Sequence, residues 1–144
     1  MTQFDISKKF DLAAKAEAGA VMEVKDPVSD EPLINDAGVP LTITLRGKDA
    51  PEVRKAAREY ASQKLNKLAK AKKLEIREED GIAELVAATV TWTGFTADGQ
   101  EIPCTPQNAR QLYTSELWIR EQADAFMENR EVFLKKPQKN SQNT

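Results

Sequence analysis

Histidine is absent from this chain of 144 residues, and cysteine occurs once, as Cys104. A lone cysteine excludes an internal disulfide. Zinc sites built on Cys and His ligands are excluded as well, together with Ser-His and Cys-His nucleophile pairs. Glycine is scarce and scattered, at six positions, so no glycine-rich phosphate loop exists. No D-x-D-x-D-G calcium loop occurs either, and "SDEPLINDAG" lacks the ligand spacing. Acids such as Glu78, Glu79 and Asp80 lie in polar stretches where nothing would raise a carboxyl pKa for acid–base work. No cofactor, metal site or catalytic residue is expected. No apolar run approaches the roughly 18 residues that span a bilayer. The opening "MTQFDISKKF" lacks the apolar core of a signal peptide, so the expected location is the cytoplasm.

The length suits one domain, which we expect over residues 1–136 and which buries roughly 70% of its unfolded surface. Net charge is only −2, but it is unevenly spread. From Arg46 to Arg77 there are 11 Lys or Arg against 4 Asp or Glu, which is +7 and leaves −9 for the rest. Opposite charge on two parts of one molecule points to a complementary partner or a second copy.

Periodicity assigns the elements. Residues 1–10 are expected to be loosely ordered, with Phe4, Ile6 and Phe10 forming a short edge strand at most. "DLAAKAEA" predicts a short helix over 11–18 that Gly19 stops. "AVMEV" sets Val21 and Glu23 opposite Met22 and Val24, and "LTITL" sets Leu41, Ile43 and Leu45 opposite Thr42 and Thr44. These read as a β-hairpin over about 20–46 with a long acidic tip, whose apolar face must lie on a helix. "KDAPEVRKAAREYASQKLNKLAKAKK" predicts a helix over about 50–73. Asp49 is the expected cap, Glu52 its capping-box partner and Pro51 a first-turn residue. Acids at its start and the spacing of Ile82, Leu85, Val86, Thr89 and Val90 favour a helix over about 78–93. "TVTWT" also alternates as a strand would.

In "TGFTADGQEIPCTPQNAR", Asp98-Gly99 is turn chemistry, and Thr105-Pro106 opens a helix over about 106–113. Cys104 reads as a small apolar residue beneath this hinge, and Trp92 as core. A last helix is expected over about 116–134, opened by Thr114 or Ser115. It carries one apolar stripe of Ile119, Ala123, Phe126 and Phe133 and another of Trp118, Ala125 and Val132. Together these exceed the arc of about 100° that one-sided packing needs. Trp118, Ala125, Val132, Phe126 and Phe133 are therefore the candidate partner-binding residues. Lys64, Lys67, Lys70, Lys72 and Lys73 form a candidate basic surface, suited to an acidic partner or, less well, to nucleic acid. Residues 137–144 form a polar tail expected to be disordered. The expected fold is α+β and mostly helical: an N-terminal β-hairpin on a long helix, then two or three further helices.

The order of these segments resembles the tail assembly chaperones of long-tailed bacteriophages. The resemblance covers residues 18–134 through the "GA…V.DP…EPL" hairpin, the "LRGKDAPEVR" join, the "W.G…DGQ.IP.T..NA..L" hinge and the terminal "WI..Q……NR..F". It implies a mostly helical, non-enzymatic protein of the host bacterial cytoplasm. Such a chaperone binds tape-measure protein and keeps it soluble until tail-tube protein assembles around it. The uneven charge and the second apolar stripe suit self-association as well as a partner. Some relatives exist in two lengths through ribosomal frameshifting. Gly19, Asp26, Pro27, Gly47, Asp49, Trp92, Gly94, Asp98, Gly99, Asn108 and Phe133 carry the motif, in roles expected to be structural. A small phage-encoded interaction or inhibitor protein is the alternative.

Overall fold

The computed structural model describes residues 5–67 and 73–134; the tail at 137–144 lies outside the described residues. The fold is α+β and mostly helical. Asp5–Phe10 forms helix α1, correcting the expected edge strand. Ile6 and Phe10, four residues apart, share one side of a helix as they would one side of a strand, so their spacing alone does not decide between the two; Phe4 lies outside the described residues. Helix α2 spans Leu12–Ala18 and ends at Gly19, whose φ of +87° closes the turn.

Strands β1 (Ala20–Glu23) and β2 (Thr42–Leu45) pair antiparallel, with Met22 opposite Ile43. The hairpin tip folds on itself through two side-chain-capped turns. Asp26 Oδ1 accepts from the N–H groups of Val28 and Ser29, and Asn35 Oδ1 from those of Ala37 and Val39. Helix α3 runs from Pro51 to Lys67 and α4 from Lys73 to Ala88, packed side by side. The expected cap is corrected here. The Asp49 carboxylate accepts two bonds from Arg130, at 2.6 and 2.9 Å. The Glu52 N–H instead donates to Glu17. A charge-assisted fork with a distant guanidinium outcompetes local capping.

The second correction concerns residues 89–93. Helix α4 stops at Ala88, and Thr89–Thr93 forms β3, the third strand of a sheet ordered β1-β2-β3. Trp92 sits opposite Ile43 and Thr42 opposite Thr93. Pairing with β2 satisfies the backbone and lets Trp92 enter the core, which a helical continuation would not. Thr96–Ala97 (β4) and Gln100–Glu101 (β5) make a small hairpin around Asp98 (φ +52°) and Gly99 (φ +77°). Two consecutive positive φ angles define the turn that fits the twist of such a ribbon. Helix α5 covers Pro106–Ser115, with Thr105 accepting from the Asn108 N–H as its cap.

The last helix is also corrected, because it is two helices, α6 (Leu117–Glu128) and α7 (Arg130–Leu134), entered through Glu116 and broken at Asn129. The break turns Phe133 onto α2 and Gly47. One buried cluster unites Met22, Val24, Ile43, Leu45 and Trp92 of the sheet side with Leu85, Ala109, Tyr113, Ile119, Ala123 and Met127 of α4, α5 and α6. Ala50 and Val53 bring the start of α3 into the same core. Gln122 on α6 exchanges two hydrogen bonds with the Lys25 backbone, at 2.9 and 2.8 Å, and so docks α6 against the end of β1.

Candidate functional site

The structure uses most of the candidate partner-binding stripe internally. Phe133 is buried, and Phe126 meets it edge-on at 5.6 Å between ring centroids. Phe126 and half-buried Trp118 both pack against the core, and the Trp118 indole N–H donates to Glu116 Oε1 at 2.9 Å. Val132 is half-buried, which leaves Ala125 as the exposed member of the five. The break at Asn129 divides the two stripes, so they do not form one rod face. Of the basic residues, Lys70 and Lys72 lie outside the described residues. Lys64 and Lys67 fall on α3 and Lys73 on α4, with side chains outside the described set.

Exposed apolar groups gather elsewhere, on the outer face of the three-stranded sheet. Along β1 the burial alternates: Val21 is 60% exposed, Met22 buried, Glu23 exposed and Val24 buried. Val21 aligns with Thr44 and Thr91 across the sheet, and Glu23 with Thr42 and Thr93. Strict alternation would send Val90 inward with Trp92, but a bulge between Thr44 and Leu45 shifts the register. Val90 is consequently turned out and 44% exposed. Ile34 faces Pro40 in an isolated bridge two residues beyond Thr42, and is 61% exposed. Alternation carries the same face out to it. The result is a strip of valine, isoleucine, proline and threonine interrupted by exposed Glu23, ending in an acidic tip with Asp26, Asp30, Glu31 and Asp36.

"AVMEV" signalled Val21 by placing it opposite two core residues. Val90 had no such signal, because a bulge is a property of pairing rather than of one strand.

A second concave feature lies at the hinge. Trp92, Phe95, Ala97, Ile102, Asn108, Gln111, Leu112, Ser115 and Glu116 line a cleft of about 430 Å³. The Trp92 indole N–H donates to the Ile102 carbonyl at 2.8 Å, and the Trp92 and Phe95 rings lie 5.2 Å apart. Cys104 packs below this hinge as a half-buried apolar group, and burial pushes its thiol pKa up. That is the opposite of what an activated thiol requires. Tyr113 is pushed up to about 12, first by burial. Its hydroxyl and that of Thr89 share a 2.7 Å hydrogen bond that ties α5 to the start of β3.

Three of the positions that carry the resemblance fall at joints between elements. Gly47 lies against Phe133 and Ala16, Gly94 against Pro40 and Leu41, and Asp49 binds Arg130. Among the described residues there is no His/Cys/Asp/Glu cluster able to hold a metal ion, and no helix long and apolar enough to cross a membrane. Comparison with protein-family models, curated proteins and solved structures finds no match for the chain.

Proposed function

We propose that the protein is a non-enzymatic tail assembly chaperone of a long-tailed bacteriophage, acting in the host bacterial cytoplasm. It binds tape-measure protein and keeps it soluble until tail-tube protein polymerises around it. The reading starts from the ordered motifs over residues 18–134. The observation that best supports it is the exposure of the apolar side chains Val21, Val90 and Ile34. A chaperone for a long helical chain needs apolar surface of this kind, bordered by charge that limits its own aggregation. The acidic hairpin tip supplies that border.

The test is co-expression with the tape-measure gene. A soluble tape-measure product that co-purifies with this chain is the expected result. An insoluble product with no isolable complex overturns the reading. Repeating the experiment at high salt separates it from nucleic-acid binding through the lysines of 64–73. Phosphate contacts weaken steeply with salt, whereas an apolar complex persists.

A further inference from the structure

We propose that α7 is an exchangeable latch: it docks on its own domain in the structure, and docks in the same seat on a second copy of this chain when two copies swap C-terminal helices into a dimer. The occupant of the seat is known, because α7 sits in it. Phe133 is buried, with its ring at Gly47 next to Ala16, and it meets Phe126 edge-on. Arg130 forks onto Asp49 at 2.6 and 2.9 Å. Seat and latch are therefore complementary in both shape and charge, and every copy carries both.

The hinge is a single residue with two ways to satisfy the groups around it. Asn129 alone separates α6 from α7, with φ −89° and ψ 94°. An α-helix has φ about −63° and ψ about −42°. Rotation of ψ thus accounts for most of the difference between the bent chain and one continuous helix. In the bent chain the Met127 carbonyl accepts from the Lys48 N–H at 3.3 Å, and the Glu131 N–H donates to Asn129 Oδ1 at 3.1 Å. In a continuous helix the Glu131 N–H donates to the Met127 carbonyl, four residues back. The same carbonyl and the same N–H serve both forms with different partners. No glycine or proline between Phe126 and Leu134 opposes the continuous form.

Straightening withdraws the latch from its own seat. Phe126 and Phe133 are seven residues apart, about 10.5 Å along a helix axis, whereas the bend brings their ring centroids to 5.6 Å. A second copy offers the freed α7 the same Gly47, Ala16, Phe126 and Asp49. The contacts of Phe133 and Arg130 are then remade between copies, once in each direction, which closes a two-fold dimer. The balance between one copy and two rests on the hinge and on concentration. This exchange goes beyond the function proposed above and does not depend on it.

The test follows the mass of the full chain by sedimentation over a concentration series. Wild type is expected to dimerise as concentration rises. Asn129→Ala removes the acceptor of the Glu131 N–H and favours the continuous helix, so it should tighten the dimer roughly tenfold or more. Asn129→Gly disfavours that helix and should weaken the dimer. Charge reversal then identifies the contact. Asp49→Arg or Arg130→Asp alone sets like charges at the seat, whether α7 docks on its own copy or on another, so each variant should stay monomeric. Mixed in equal amounts, the two variants place opposite charges at both seats of a swapped heterodimer, and the dimer should return. Wild type and Asn129→Ala that both stay monomeric overturn the proposal. So does equal dimerisation by Asn129→Ala and Asn129→Gly, or a mixture of the reversed chains that stays monomeric. A reversed chain that dimerises by itself as wild type does places the contact elsewhere and also overturns it. Should a reversed chain lose its thermal unfolding transition, the two Asn129 variants decide alone.

Discussion

Gly94 has φ +85°, and a Cβ there would lie 2.6 Å from the Pro40 carbonyl oxygen. Alanine would meet two penalties, a left-handed backbone costing roughly 1–2 kcal/mol and a clash with main chain that cannot rotate away. We expect Gly94→Ala to cost about 3 kcal/mol or more, read as a fall in urea midpoint. Gly47 lacks the positive φ, but a Cβ would lie 3.0 Å from the Phe133 ring and 3.1 Å from Ala16. Gly47→Ala should cost less, about 1–2 kcal/mol, through overpacking alone. An equal loss at both positions would show that backbone strain contributes nothing. Asp49 shows how a residue can be legible in role and wrong in partner. A helix-start acid was visible in "KDAPE", but the guanidinium that takes it is 81 residues away. The Arg130 hydrogen bond, opposed by partial burial, holds the Asp49 carboxyl below its usual range. Its contribution is therefore complete above the ordinary value of about 3.9 and is lost as pH falls through the folded value. Because the pair is largely solvent-screened, Asp49→Asn should cost no more than about 1 kcal/mol near neutrality, and less as pH falls through the folded value. Asp124 runs the other way. Burial, partly offset by Arg120, raises its pKa, so its contribution is present at low pH and lost as pH rises through the folded value. The change in unfolding free energy relative to wild type, measured against pH, should run in opposite directions for the two Asn variants.

Elements governed by neighbouring residues were readable from the sequence, and those governed by distant pairing were not. Thr105-Pro106 caps and starts α5 as local chemistry requires. Thr105→Ala should cost about 1 kcal/mol. If denaturant unfolding shows no loss, the cap bond at 3.1 Å contributes nothing. The β1–β2 hairpin announced itself by alternation, and Asp98-Gly99 by turn type. At 89–93 the sequence served two masters. Ile82, Leu85 and Val86 do continue a helix, and Thr89 still donates back to the Leu85 carbonyl at 2.7 Å, as a helical threonine does. What ends the helix is β2, a strand some forty-five residues earlier in the chain, whose open edge takes Thr89–Thr93. The last helix failed for a related reason. The local signal in "FMENREVF" is slight, an Asn129 side chain that accepts from the Glu131 N–H at 3.1 Å to open α7, and the bend there also brings Arg130 to Asp49 and Phe133 to Gly47. Phe133→Ala, by emptying that contact, should cost about 3 kcal/mol. It should loosen the docking of α7 on α2 before the sheet, which amide exchange would resolve as early exposure of residues 12–18 and 130–134.

At the scale of the whole molecule, the break at Asn129 moves the candidate contact surface. An unbroken last helix would have displayed its second apolar stripe, whereas the folded chain covers Trp118 and Val132 in part and exposes the outer sheet face instead. That face was only half legible, through Val21, since its breadth depends on β3 joining the sheet and on the bulge at Val90. Its exposure makes a clean separation of function from stability possible. Val21 and Ile34 are about 60% exposed and reach no core residue's place, so replacing both by glutamate should change unfolding free energy by no more than about 0.5 kcal/mol each. The same charges would desolvate badly beneath an apolar partner, where an unpaired buried carboxylate costs several kcal/mol. On the function proposed above, Val21→Glu with Ile34→Glu should therefore leave the thermal midpoint close to wild type while the co-expressed tape-measure protein moves to the insoluble fraction. Alanine at both sites should fall between, losing contact area but adding no charge. If the glutamate pair retains full holding activity, the outer sheet face is not the contact. If it unfolds the chain, those side chains hold the domain together and the exposed strip is structural.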